Sequence, residues 1–482
     1  MNEHFDLLIR NATIIDGTGA QRTSGDVGLR GDRIAAIGRL ERDRADIEID
    51  ASGKVAAPGF IDAHTHDDRL MLSSPEMAPK VSQGVTTVVA GNCGISLAPV
   101  PAAMKGRVPP PLDLLDDRGS WFRFPAFRAY VEELNAYPAA TNCALLVGHT
   151  TLRVATMDRF DRPATGAEIG RMQKLAREAL SAGAIGVSTG LYYEPANAAP
   201  TEEVIEVCRP LKEFNGIYCT HMRNEADRVM DSLDETFRIG KALDVPVVVS
   251  HHKVVGQSNH GRSQETLPRI AEAMRQQPVC LDCYPYIASS TILSADRAKI
   301  CSRVIVSSSR PFPQYAGMDL DEVVRKMALP YEQAIEKLQP ASAIYFSMDE
   351  ADVQRILAFD HTMVGSDGLP HDIAPHPRLW GCFPRVLGHY ARDLKLFPLE
   401  TAVRKMTGLP ARTFGLRDRG VLREGAFADI TLFDPDTVGE TATWEKPIQA
   451  ASGILATIVN GAVVWNNGKP TGNRAGRVLG RT

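Results

Sequence analysis

The chain has 482 residues, 44% of them hydrophobic and 23% charged, which is ordinary globular composition and long enough for one large domain and a smaller one. Its 54 Lys and Arg against 58 Asp and Glu leave a net charge of -4, no electrostatic footprint for nucleic acid or an anionic membrane, so the expected partner is a small molecule. No apolar run approaches the roughly 20 residues of a membrane span, the first residues lack the basic and apolar regions of a signal peptide, and eight scattered cysteines suit a reducing compartment, so the expected localisation is cytoplasmic.

In chain order, residues 6–16 read as a strand closed by the turn Gly17-Thr18-Gly19, and short strands at 26–29, 33–37 and 47–50 follow between Gly and Asp turns. The far end mirrors this pattern, with apolar runs at 429–433, 456–459 and 462–465, the last two joined by the hairpin signal Asn460-Gly461. The two ends, 1–58 and 415–482, are therefore expected to pair into one small β domain.

Between them, over 59–414, apolar runs alternate with helical patterns, the signature of βαβ units around a parallel sheet. The runs fall at 55–61, 86–90, 144–147, 185–188, 217–220, 245–250, 279–283 and 362–365. The clearest helix is 165–180, opened by a Thr165/Glu168 capping box. Eight strand-helix repeats predict an α/β fold, a TIM (β/α)8 barrel, rather than an open doubly wound sheet. Two segments break the spacing. The proline-rich stretch 96–116 is expected to be a loop on the active face. Runs seven and eight are separated by about 75 residues, far more than one helix needs, so 288–346 is expected to be an inserted subdomain acting as a lid.

Polar residues cluster where the runs end: His64 and His66, then Cys93, His149, His221, His251 and Asp367. In a closed barrel these ends meet at one face, where enzymes of this fold have their sites. Four imidazoles (His64, His66, His221, His251), a thiolate and a carboxylate are ligand types for Zn²⁺, and one bridging ligand would allow two metals. His149 is expected to touch substrate or cap its strand; Cys280-x-x-Cys283 is read as buried thiols, because residues i and i+3 of a strand face opposite ways.

The sequence resembles the amidohydrolase superfamily in His64-Thr65-His66, His221, His251 and Asp367, in Pro58-Gly59-Phe60-Ile61-Asp62, and in Gly420-Val421-Leu422 through Ala428-Asp429. Many members carry a carboxylated lysine after strand 4; here Ser188-Thr189-Gly190 stands there with no lysine. The motif Gly91-Asn92-Cys93-Gly94 instead resembles the N-acyl-D-amino acid deacylases, as do Gly190-Leu191-Tyr192-Tyr193, Ser250-His251-His252-Lys253 and Tyr284-Pro285-Tyr286. The resemblance implies a tight zinc on Cys93, His221 and His251, and a second, weaker position on His64, His66 and Cys93. It implies Asp367 as general base and then general acid, with Lys253, Tyr284 and Arg378 around the substrate carboxylate. Tyr192, Ser290 and Arg297 are the candidates for the side-chain pocket, and a cationic Arg297 there points to N-acyl-D-glutamate over apolar substrates. The alternatives are a cyclic amidase of the hydantoinase or dihydroorotase type and an inactive binding protein on the same fold; Cys93 speaks against the first, and the intact set of ligand types against the second. The D preference rests on the resemblance alone, and the sequence leaves the oligomeric state open.

Overall fold

A computed structural model describes residues 4–40, 43–100 and 108–482. The terminal segments pair into one nine-stranded sheet. His4–Ile14 lies antiparallel to Thr23–Arg30 and parallel to Arg44–Asp50, and its end reaches Val55–Pro58 through Thr13 and Val55. Val55–Pro58 then pairs with Ile430–Phe433, which joins the chain's two ends. Beyond it Ile454–Val459 and Ala462–Asn466 form the expected hairpin. Asn460 and Gly461 both take positive φ (47° and 83°), as a tight hairpin turn requires. Alternate residues such as Leu7, Ile9, Val27, Leu29, Ile430 and Ile458 make this sheet's own core.

The second sheet is the barrel, with parallel strands Phe60–Asp62, Val85–Ala90, Asn142–Gly148, Gly186–Gly190, Ile217–His221, Val247–Val249, Val279–Cys283 and Thr362–Val364, numbered 1 to 8 below. The seam between strands 8 and 1 is closed by Ala63 N–H donating to Val364 O (3.2 Å), Asp367 N–H donating to His64 O (2.8 Å) and a bridge between Thr65 and Gly368. Inward side chains, among them Ile61, Val89, Leu146, Ile185, Ile217, Val248 and Met363, fill the barrel, and Leu409 and Phe414 join that cluster.

The run expected at 55–61 as one strand is two. Val55–Pro58 belongs to the terminal sheet and only Phe60–Asp62 to the barrel. Gly59 is the crossing point, where a Cβ would lie 2.2 Å from the Thr86 side chain. The C-terminal pair Val478–Leu479 lies parallel to strand 3 of the barrel rather than in the terminal sheet.

The helix Gly166–Ser181 begins with the expected capping box. In the stretch 96–116 the described residues form loop and a single 3₁₀ turn, Leu112–Leu114; Pro101 lies outside them. The insert after strand 7 is a three-stranded antiparallel sheet of Ala288–Ile292, Arg303–Ser309 and Ala341–Phe346. It carries its own small core around Val306, Leu320, Leu338 and Tyr345. Among the described residues no helix is long and apolar enough to cross a membrane.

Candidate metal centre

Cys93 reaches the barrel mouth because two neighbouring strands end without side chains. After strand 2 the chain turns through Gly91, Asn92, Cys93 and Gly94, with φ of +82°, +52° and +77° at Gly91, Cys93 and Gly94. A Cβ on Gly148 would meet Gly94 O at 2.3 Å, and one on Gly190 would meet Cys93 O at 2.1 Å, so strands 3 and 4 leave room for this loop to lie across them. Ser188 of strand 4 fastens it, accepting from Gly94 N–H at 3.0 Å and donating its hydroxyl to Gly91 O. Cys93, His251 and Asp367 all take positive φ, a conformation costing on the order of 1–3 kcal/mol each and concentrated at functional sites.

His64 and His66 follow strand 1 past a bend at Ala63 and His64, held by Thr65 N–H to Val89 O (3.0 Å). His64 Nε2 lies 3.2 Å from Cys93 Sγ, and His66 Nε2 lies 3.2 Å from Asp367 Oδ1. On the other side of Cys93, His251 Nε2 is 3.3 Å from Sγ and 2.9 Å from His221 Nδ1. Two groups able to hold a cation result, His64, His66, Cys93 and Asp367 in one and Cys93, His221 and His251 in the other, with Cys93 common to both.

The chemistry of the donor set fits zinc. Ligand atoms about 2.0–2.3 Å from a tetrahedral Zn²⁺ stand roughly 3.3–3.7 Å from one another, close to the separations here. The outer ring nitrogens meet carboxylates: His64 Nδ1 faces Asp282 Oδ1 at 3.4 Å and His251 Nδ1 faces Glu225 Oε1 at 3.1 Å, the arrangement that orients imidazole ligands.

Every one of these groups is buried. Burial pushes the Cys93 thiol up, but His64, His251 and His221 around it outweigh that and hold it well below the usual thiol range, as a thiolate ligand needs. Burial opposes the charge of Asp367 too, yet Arg378 and the histidines keep its carboxyl well below the ordinary range. His66 shows the reverse balance; burial lowers it, while Asp367 and Cys93 raise it to about 9.

A narrow cleft opens over this centre, lined by His66, Cys93, His221, His251 and Asp367 together with Lys253, Ser290 and Arg297. Lys253 Nζ donates to Glu225 Oε1 (2.7 Å), and the Ser290 hydroxyl is buried with no partner among the described residues. Arg297 lies against the rings of Tyr192 and Tyr345, its Nη2 3.8 Å from Glu225 Oε2; the neighbouring Asp296 pairs with Lys299 instead. Arg378 is fully buried beside Asp367 (Nη2 to Oδ2, 3.0 Å) and over the Tyr284 ring, whose hydroxyl has no partner. Tyr192 stacks on His221 at 5.8 Å.

His149 is not brought to the cleft. It opens the helix after strand 3, fully buried, 3.9 Å from Glu203, with burial pushing its imidazole down to about 3. Cys280 and Cys283 are buried free thiols. Sequence reasoning passed over Glu225 and Asp282, the two carboxylates behind the histidines. Glu225 stands four residues after His221, a spacing that could have found it, whereas Asp282 looks like any residue of an apolar strand.

A parallel barrel with histidines, a cysteine and an aspartate gathered at the C-terminal ends of its strands defines the class of barrel enzymes whose chemistry sits at that face. The model of the amidohydrolase family matches residues 48–278 and 318–465, and the chain belongs to that family. It is 58% identical to a D-aminoacylase of Alcaligenes xylosoxydans xylosoxydans over 100% of this chain and 99% of that protein. It is 52% identical to an N-acyl-D-aspartate deacylase of the same organism, over 98% and 95%. Among solved structures, N-acyl-D-glutamate deacylase from Bordetella bronchiseptica, complexed with zinc and a phosphonate mimic of the tetrahedral intermediate, superposes with a TM-score of 0.95 at 45% identity, covering 99% of each chain.

Proposed function

We propose that this chain is a zinc-dependent deacylase of N-acyl-D-amino acids, hydrolysing the linear amide to a carboxylate and the free D-amino acid. The observation that carries this reading is the Cys93 sulfur standing 3.2 Å from His64 and 3.3 Å from His251, a thiolate where a bridging ligand belongs. The deacylases among its relatives, similar over essentially the whole chain, support it.

In this reading Cys93, His221 and His251 hold the tight zinc, and His64 and His66 share Cys93 in a second, weaker position. A zinc there supplies a water of lowered pKa and a Lewis acid for the amide carbonyl. Asp367 takes the proton from the attacking water and returns it to the leaving amine; Arg378 at 3.0 Å keeps its carboxylate ionised and fixed until then. Lys253, with Tyr284 and Arg378 behind it, receives the α-carboxylate, and Tyr192, Ser290 and Arg297 face the side chain. Burial of Arg297 favours an acidic side chain, with N-acyl-D-glutamate the leading substrate, since its nearest carboxylate is beyond hydrogen-bonding distance.

The test is turnover of N-acetyl-D-amino acids against their L-isomers, hydantoin and dihydroorotate. Release of D-amino acids alone is expected; turnover of the cyclic amides in place of the linear ones would overturn the reading. Arg297→Leu is expected to cost about 2 kcal/mol or more in kcat/KM for N-acetyl-D-glutamate and little for N-acetyl-D-leucine. Equal losses on both would remove Arg297 from the side-chain pocket.

A further inference from the structure

Two buried cations, Lys253 and Arg297, line the cleft, and a third, Arg378, lies buried behind Asp367, each beside a carboxylate. Arg378 is matched by Asp367 at 3.0 Å and Lys253 by Glu225 at 2.7 Å. Among the described residues Arg297 has no carboxylate of its own; it shares Glu225, at the longer distance of 3.8 Å. Glu225 is 4% exposed and also faces His251 at 3.1 Å and His221 at 3.7 Å, so its place is fixed from several sides. Lys253 and Arg297 thus share one carboxylate, Glu225, before a substrate brings its own α-carboxylate. A second carboxylate, on the substrate's side chain, must compete with Glu225 for Arg297.

We propose that Glu225 is a positioning residue that sets side-chain selectivity: by sharing its charge between Lys253 and Arg297 it tempers the attraction of Arg297 for acidic side chains and lets the same pocket accept uncharged ones. This rests on the deacylase reading above. Coulomb attraction in a buried site is strong enough for one missing carboxylate to decide between substrates that differ by one charge. Glu225→Gln keeps the shape of the side chain and removes the charge, leaving Arg297 without an anion until a substrate supplies it.

The experiment measures kcat/KM for N-acetyl-D-glutamate and for N-acetyl-D-leucine in zinc-loaded wild-type enzyme and variants. The ratio within each variant cancels any loss of metal affinity or of hold on Lys253, which a merely structural role would affect equally for both substrates. Glu225→Gln is expected to raise the glutamate-to-leucine ratio about tenfold or more, and Glu225→Ala to move it the same way. In the Arg297→Leu background the same Glu225→Gln change is expected to leave the ratio alone. Where a variant folds but turns over too slowly, the ratio of Kd for the products D-glutamate and D-leucine, read by calorimetry, decides in the same sense. An unchanged ratio, or an equal shift without Arg297, overturns the role of Glu225. Wild-type enzyme inactive on every N-acyl-D-amino acid would instead refute the deacylase reading.

Discussion

At the scale of single residues, Cys93 belongs to both ligand groups and so has no substitute, whereas His66 belongs to the Asp367 side alone. Cys93→Ala and His221→Ala are expected to purify without zinc and without activity, and His66→Ala to retain most of its metal. Metal analysis of the purified variants checks this, and a full complement of zinc in Cys93→Ala would sink the ligand assignment. Asp367→Asn keeps the size of the side chain and its place beside Arg378 but cannot take up the proton. It is expected to keep zinc and lose about 10²–10⁴-fold in kcat, the usual worth of general acid-base catalysis. Near-normal kcat across the pH range would place the proton on another group. The residues at the run ends were legible because catalytic side chains of a barrel sit where apolar strands stop. Glu225 could have been found by its spacing from His221, but not its link to the cations, because Lys253 and Arg297 lie 28 and 72 positions further along the chain.

At the scale of elements, the weakest joint of the barrel is the seam between strands 8 and 1, where a few contacts replace a ladder. Lys80, fully buried in the helix Ala78–Val81, braces it from behind. Its Nζ donates to Asp62 Oδ2 and to Ser366 Oγ, each at 2.8 Å, and lies 3.3 Å from Asp67. Asp62 in turn accepts from Ser366 N–H (2.7 Å) and His64 N–H (3.3 Å), so one ammonium ties strand 1, the turn to Asp367 and the histidine pair together. Lys80→Met leaves two buried carboxylates uncompensated and is expected to cost about 3–5 kcal/mol of stability, read as the shift in urea midpoint at constant m-value. A variant as stable as wild type would show that the seam holds without the ion pair. Nothing in the sequence marks this lysine, since among helical residues it looks like a solvated charge. The split of the first run at Gly59 was hidden for a related reason: two short strands of different sheets follow each other without any break in apolar character.

The insert is the element most plainly announced by length; its first strand brings Ser290, and the short helix after it Arg297, to the cleft. If it closes over substrate, hydrogen exchange with a phosphonate analogue bound is expected to slow across Ala288–Ile292 and the helix Ala295–Lys299 that carries Arg297. Unchanged protection throughout the insert would make it a fixed wall.

At the scale of the whole molecule, the pattern of apolar runs was enough for a closed barrel and a β domain made from both ends, because short apolar runs alternate with helical patterns in all but two of the gaps. The C-terminal pair Val478–Leu479 on strand 3 was beyond such a reading; two residues carry no period. The fold places candidate ligands from strands 1, 2, 5 and 6, and Asp367 after strand 8, around one point, and the proposed function makes metal at that point the condition for hydrolysis of a D-configured amide. The most direct measurement is release of D-glutamate from N-acetyl-D-glutamate by enzyme stripped with a chelator and then titrated with zinc, with N-acetyl-L-glutamate in parallel. The account predicts no release from the stripped enzyme, recovery as zinc is bound, and none from the L-isomer at any zinc level. Full turnover by the stripped enzyme, or equal turnover of both isomers, would contradict it.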